Sequence, residues 1–190
     1  MLIFAHSGIT LGAAALLTVK RGDKLTQFRN ILSRWPVTLG KTIDIRILLI
    51  GSLLPDIIDK PLGQYFLRNT FSNGRIFSHT LLFLLIISAT GFYIYKRHRK
   101  TWLLVLSFGT FMHLLLDQMW LNPRTLFWPI FGLAFDRADL TDWTRNILQS
   151  LFSKPEVYIP ELIGLIILIC FVFALFQRKN IWAFIKYGKV

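Results

Sequence analysis

A single cysteine, Cys170, stands among 190 residues, in the middle of an apolar run. That excludes a disulfide framework and any thiolate-based metal site, and the residue reads as a small buried hydrophobe. No internal repeat and no low-complexity segment is present, so residues 1–190 are taken as one domain. The opening Met1-Leu2-Ile3-Phe4-Ala5-His6 has no basic stretch ahead of its apolar run, and the first basic pair, Lys20-Arg21, comes after it. A secretory signal has the opposite order, and the segment is expected to be a retained first helix with its N-terminus outside. Acidic residues are scarce as well, 10 against 22 Lys and Arg, for a net charge of +12. Such an excess can mark a nucleic-acid binder. Here the chain is 54% hydrophobic with a mean hydropathy of +0.52, too apolar for a soluble domain of this size. Membrane topology accounts for the charge better. Membrane lipids, and no nucleic acid, are the expected surroundings.

What is there is a set of apolar segments. Five approach the roughly 20 residues that a spanning helix requires: Ile3 to Val19, Ile43 to Ile58, Ile76 to Tyr95, Trp102 to Trp120 and Tyr158 to Phe176. The expected fold class is therefore all-α, an integral membrane bundle of about five transmembrane helices with short interfacial amphipathic helices. Gly8, Gly12 and Ala13 to Ala15 let the first helix approach its neighbours closely. Between Lys20 and Thr42, Leu25, Phe28, Leu32 and Trp35 recur at helical spacing among basic residues, the pattern of a helix lying on an anionic membrane face. A second interfacial helix is expected within the outer segment 121–157, where Leu140, Trp143, Ile147 and Leu151 share a face and Asp139 or Thr141 supplies the cap. Trp102, Trp120, Trp128 and Trp143 fit an interfacial belt.

The basic residues set the orientation. With the N-terminus outside, 14 Lys and Arg fall in inner segments and 7 in outer ones. The positive-inside bias therefore expects a plasma (inner) membrane protein with its N-terminus out and its C-terminus cytoplasmic.

Ionisable residues inside apolar helices require a reason. His113 and Asp117 lie four apart within Phe111 to Trp120, one above the other on a single helical face. Under the expected topology His6, Asp56, Asp59, His79, His113 and Asp117 all fall in the outer leaflet. Imidazole nitrogens with carboxylate oxygens suit a divalent ion, zinc first and manganese or iron as alternatives. His6, Asp56, His79, His113 and Asp117 are the candidate ligands. Asp59 is the candidate general base or the holder of a histidine tautomer, and Arg75 the candidate clamp on a substrate phosphate or carboxylate. The alternatives are structural: an intrahelical bond between His113 and Asp117, a cap or an Arg75 partner for Asp56, a helix-bridging role for each histidine. Glu161, behind Pro160, is expected to serve the dipole of its own helix. His98, in the basic turn Lys96 to Lys100, stays outside the site.

The same residues carry a resemblance. His6 in a small-residue helix, Leu54-Pro55-Asp56 with Asp59, Arg75 to Leu81 with its Ser78-His79-Thr80, the His113 to Asp117 helix and Trp128-Pro129 resemble the YdjM-like family of membrane-bound proteins assigned as metal-dependent hydrolases. The likeness covers roughly residues 1–132 as a family-like core, ahead of the last transmembrane helix at 158–176. Two departures stand out: the second carboxylate of the Asp56 motif is displaced by one position and followed by Lys60 in place of histidine, and Gly74 occupies a position where the family carries another histidine. The resemblance implies hydrolysis and supplies no substrate.

Hydrolysis of an ester or phosphoester in a lipid or lipid-linked substrate is thus the expected function, since a site at that depth opens to the bilayer. A structural His/Asp network in a partner-binding or regulatory subunit is the alternative, and a proton or ion transporter a third. Oligomeric state is not legible.

Overall fold

Every regular element of the computed structural model, which describes residues 2–18, 36, 38–137, 143–179 and 181–188, is helical. In order these are α1 (Ile3–Thr18), α2 (Ile45–Lys60) running into a π-helical turn at Pro61–Phe66, α3 (Leu81–His98), α4 (Trp102–Leu116), α5 (Trp143–Ser153), α6 (Pro155–Gln177) and α7 (Ile181–Tyr187). A 3-10 turn at Met119–Leu121 and a single α-turn at Pro123–Leu126 follow α4. Most of the basic helix expected between Lys20 and Thr42, and the capping residues Asp139 and Thr141, lie outside the described residues.

Small residues set the two closest helix pairings. A Cβ on Gly8 would lie 2.0 Å from the carbonyl oxygen of Gly164, so α1 and α6 pack backbone to backbone. A Cβ on Gly51 would lie 2.4 Å from the Leu106 carbonyl oxygen, which brings α2 equally close to α4. Gly8 meets Gly164 and Gly12 meets Ile167, so α1 and α6 run parallel. The turn between α3 and α4 is as tight as expected, with Arg99 in the left-handed conformation at φ 55° closing α3. The Ser88 and Ser107 hydroxyls then meet at 2.5 Å across the antiparallel pair.

Pro55 lies inside α2, and the helix continues past it to Lys60. A proline lacks the N–H that would bond the carbonyl four residues back, here Gly51. Thr110 Oγ1 from α4 lies 3.3 Å from that carbonyl instead, its one hydrogen shared between it and the Leu106 carbonyl at 3.1 Å. The third apolar segment also begins later than expected: Ile76 to Thr80 form a non-helical turn, and α3 starts only at Leu81, with Thr80 Oγ1 accepting from Phe83 N at 3.1 Å as its N-cap.

Packing separates the bundle into two ends. Leu11, Ala14 and Ala15 of α1, Ile45 and Leu48 of α2, Val105 of α4 and Phe171 and Leu175 of α6 form an apolar core with Leu39. The opposite ends of α1, α2 and α4 carry the buried polar groups His6, Asp59 and His113. Among the described residues α6, with 23 residues, is the one helix long and apolar enough to cross a membrane; α1 and α4 are shorter apolar helices. Leu162, Ile166, Ile169 and Phe173 of α6 and Leu85 and Ile86 of α3 are exposed, a face that lipid would cover. Cys170 is exposed on the same helix, and the expectation of a buried residue fails because α6 presents most of its girth outward.

Candidate metal centre

Three histidines from three parts of the chain meet at the polar end, each with no exposed surface. His6 comes from the first two turns of α1, His79 from the turn before α3, and His113 from the last turn of α4. The rings of His6 and His113 stack with centroids 4.0 Å apart, and that of His79 meets His113 edge-on at 5.2 Å.

The hydrogen bonds around two of these rings fix their tautomers. Asp59, fully buried, accepts from His79 Nδ1 at 2.7 Å and from the backbone N–H groups of Ile76 at 2.8 Å, Ser78 at 3.0 Å and His79 at 3.2 Å. The turn from Ile76 to Thr80 is thus folded around one carboxylate, which explains why α3 starts late. His113 Nδ1 lies 2.7 Å from the Ser52 carbonyl oxygen, an atom that can only accept. In both rings Nδ1 carries the hydrogen and Nε2 presents a lone pair. The two Nε2 atoms face each other at 3.3 Å. Two lone pairs at that separation suit a cation between them.

The carboxylates complete the arrangement. Asp56 Oδ1 lies 3.7 Å from His79 Nε2 and 3.9 Å from His113 Nε2. In a triangle with those sides and the 3.3 Å edge, the point equidistant from all three atoms is about 2.1 Å from each, the length of a bond from zinc to nitrogen or oxygen. On the other side of His113, Asp117 Oδ1 lies 3.2 Å from His6 Nε2, and Asp117 Oδ2 lies 4.0 Å from His79 Nε2. The other ring nitrogen of His6, Nδ1, is buried with no hydrogen-bond partner. A buried polar atom without a partner is rare and points to a ligand. Asp56, His79 and His113 form one group able to hold an ion, and His6, His113 and Asp117 a second that shares His113.

A family model described as YdjM inner membrane protein matches residues 1–182. The chain belongs to that family. The match extends through α6, past the 1–132 core that the motifs alone suggested, and with α6 it makes this a membrane protein. No curated protein and no solved structure matches the chain.

All five expected ligands, with Asp59 and Arg75, therefore converge. The structural alternatives fare differently. His113 and Asp117 do not bond each other: His113 turns to α2 and Asp117 to His6 and to Arg75, whose Nη2 is 2.7 Å from Asp117 Oδ2. Asp56 pairs with Lys60 at 2.6 Å and not with Arg75. Glu161 does not serve its own helix. It is buried, and its carboxylate accepts from Leu2 N at 2.6 Å and Phe4 N at 3.1 Å, capping α1 just ahead of His6. Sequence reading also passed over Lys60 and the Ser52 carbonyl. Lys60 had a local signal in its i, i+4 spacing from Asp56.

Proposed function

We propose that the chain is a membrane-bound, divalent-metal-dependent hydrolase acting on an ester or phosphoester of a lipid or lipid-linked substrate. The observation that carries this reading is the pair of Nε2 lone pairs of His79 and His113 facing each other beside Asp56 Oδ1. Asp56, His79 and His113 hold the ion, with His6 and Asp117 completing the ligand set. Zinc, or manganese or iron in its place, supplies a Lewis acid and an activated water when bound. Asp59 already accepts four hydrogen bonds, so it holds the His79 tautomer and orientation, the second of the two roles open to it, and does not take the substrate proton. Arg75 is half-exposed at the rim and available to a substrate anion.

Five spans, α1 to α4 and α6, belong to the same proposal. Their directions alternate along the chain when α1 and α6 run parallel, and the N-terminus lies outside with the C-terminus in the cytoplasm. The ends of α1, α2 and α4 that carry the site then lie in the outer leaflet, within reach of lipid.

A structural His/Asp network is the competing reading, favoured by the way Lys60 and Arg75 neutralise Asp56 and Asp117. Metal analysis of the protein purified in detergent, as wild type and as His113→Ala, separates the two. The hydrolase reading expects bound metal in the wild type, loss of it in the variant, and cleavage of a p-nitrophenyl ester or phosphodiester that chelation abolishes and added zinc restores. Equal metal content in the two proteins would defeat it.

A further inference from the structure

Three carboxylates and two cations meet at the polar end. Asp56, Asp59 and Asp117 oppose Lys60 and Arg75, so with neutral histidines the cluster carries one net negative charge. Each cation stands on a different candidate ligand: Lys60 Nζ is 2.6 Å from Asp56 Oδ2, and Arg75 Nη2 is 2.7 Å from Asp117 Oδ2. Each of those carboxylates in turn approaches the same atom, His79 Nε2, at 3.7 Å and 4.0 Å. Lys60 also lies against the loop that carries Arg75, since a Cβ on Gly74, the residue before it, would lie 3.4 Å from Lys60 Cγ. Both remain partly open, with side-chain exposures of 35% for Lys60 and 42% for Arg75, whereas Asp56 and Asp117 are at 15% and 3%.

We infer that Lys60 and Arg75 together form an oxyanion seat, and that the group it takes is a phosphate ester. This rests on the metal reading above. Once Asp56 and Asp117 serve as ligands to a divalent ion, Lys60 and Arg75 no longer have those carboxylates to themselves, and the cluster as a whole turns from one negative charge to one positive. An anion restores neutrality and a neutral carboxyl ester does not. Arg75 presents a planar fork of donors and Lys60 a point charge, the combination that surrounds a tetrahedral phosphate better than a planar carboxylate. Of the two bond types left open, the charge pattern selects the phosphoester.

The test uses the full chain in detergent, with zinc content as the control for the reading beneath it. Binding of inorganic phosphate to the zinc-loaded protein is followed by calorimetry, and binding of mixed micelles containing phosphatidic acid is compared with binding of micelles of uncharged detergent. Lys60→Gln and Arg75→Gln should keep their zinc, while each weakens phosphate binding about tenfold or more, the loss expected for one charge-assisted hydrogen bond. Lys60→Arg should recover most of the binding. Tighter binding of the phosphatidic acid micelles than of inorganic phosphate identifies a lipid headgroup as the source of the anion, and equal binding identifies a free phosphate; either supports the seat. Unchanged phosphate binding in both glutamine variants, or none in a zinc-loaded wild type, overturns it and leaves the metal reading intact. A wild type that holds no zinc removes both.

Discussion

Asp59 and His79 are joined at 2.7 Å, carboxylate to Nδ1, in a spot that solvent does not reach. The bond orients the ring, and the backbone N–H groups of Ile76, Ser78 and His79 hold the carboxylate in turn. Asp59→Asn keeps the shape of the side chain but replaces one acceptor oxygen with a donor that has no acceptor facing it. Zinc affinity, measured by competition with a chromogenic chelator, should fall about 10- to 100-fold, the usual effect of losing a partner behind a metal-bound histidine. An Asp59→Asn protein that binds zinc as the wild type does would show that the carboxylate is dispensable to the site.

Glu161 ties α6 to the first turn of α1, two residues from His6 at its nearer bond. Glu161→Ala removes the acceptor from two N–H groups that the helix itself cannot satisfy. A loss of about 1–2 kcal/mol in unfolding free energy is expected, by the scale of N-cap removal. Thermal unfolding in detergent measures it, and a smaller drop in zinc affinity should accompany it because His6 sits on the loosened turn.

At Gly8 the obstacle is the backbone of Gly164, which cannot swing aside as a side chain could. Gly8→Ala should cost about 1–3 kcal/mol or prevent assembly, in line with overpacking of close contacts. Gly12→Ala is the comparison: its added methyl would meet only the flexible end of Ile167 at 3.1 Å, and a small effect is expected there. Similar unfolding midpoints for the two variants would mean that α1 and α6 are not in backbone contact.

Acid sensitivity has a local source at the other end of the bundle. Asp44 caps α2 and takes two bonds from the Arg46 guanidinium, which in turn donates to the Ile185 carbonyl oxygen of α7 at 2.7 Å. The Arg46 hydrogen bond holds the Asp44 carboxyl below its usual range. A carboxyl depressed in the folded state stabilises the fold above its unfolded pKa, and that contribution is lost as pH falls through the depressed value. The stability gap between wild type and Asp44→Asn should therefore be constant above about pH 4 and close below it, read from unfolding curves at a series of pH values.

The residues of the site were legible because buried charge is conspicuous in apolar sequence. His6, Asp56, His79, His113 and Asp117 each interrupt or border a hydrophobic run, and the topology expected from basic residues put them on one side. Their bonding was not legible. Which carbonyl faces His113 depends on how closely α4 approaches α2 at Gly51, and on Pro55, whose missing N–H frees a neighbouring carbonyl for Thr110. Likewise the turn from Ile76 to Thr80 reads as the start of a helix by composition, and only the nearness of Asp59 shows why its N–H groups point elsewhere. Glu161 was misread for the same reason. Its position behind Pro160 explains a carboxylate at any helix start, and nothing local to it names α1 as the partner.

The parallel pairing of α1 with α6 also bears on when the site can form. α1 is made long before the helix it packs against backbone to backbone, because Gly8 must wait for Gly164 and Leu2 for Glu161. Contacts that far apart in sequence form late. His6 thus gains the last of its supports only with α6, and a chain stalled before residue 161 holds α1 through its packing on α2 and α4 alone, without the Glu161 cap ahead of His6.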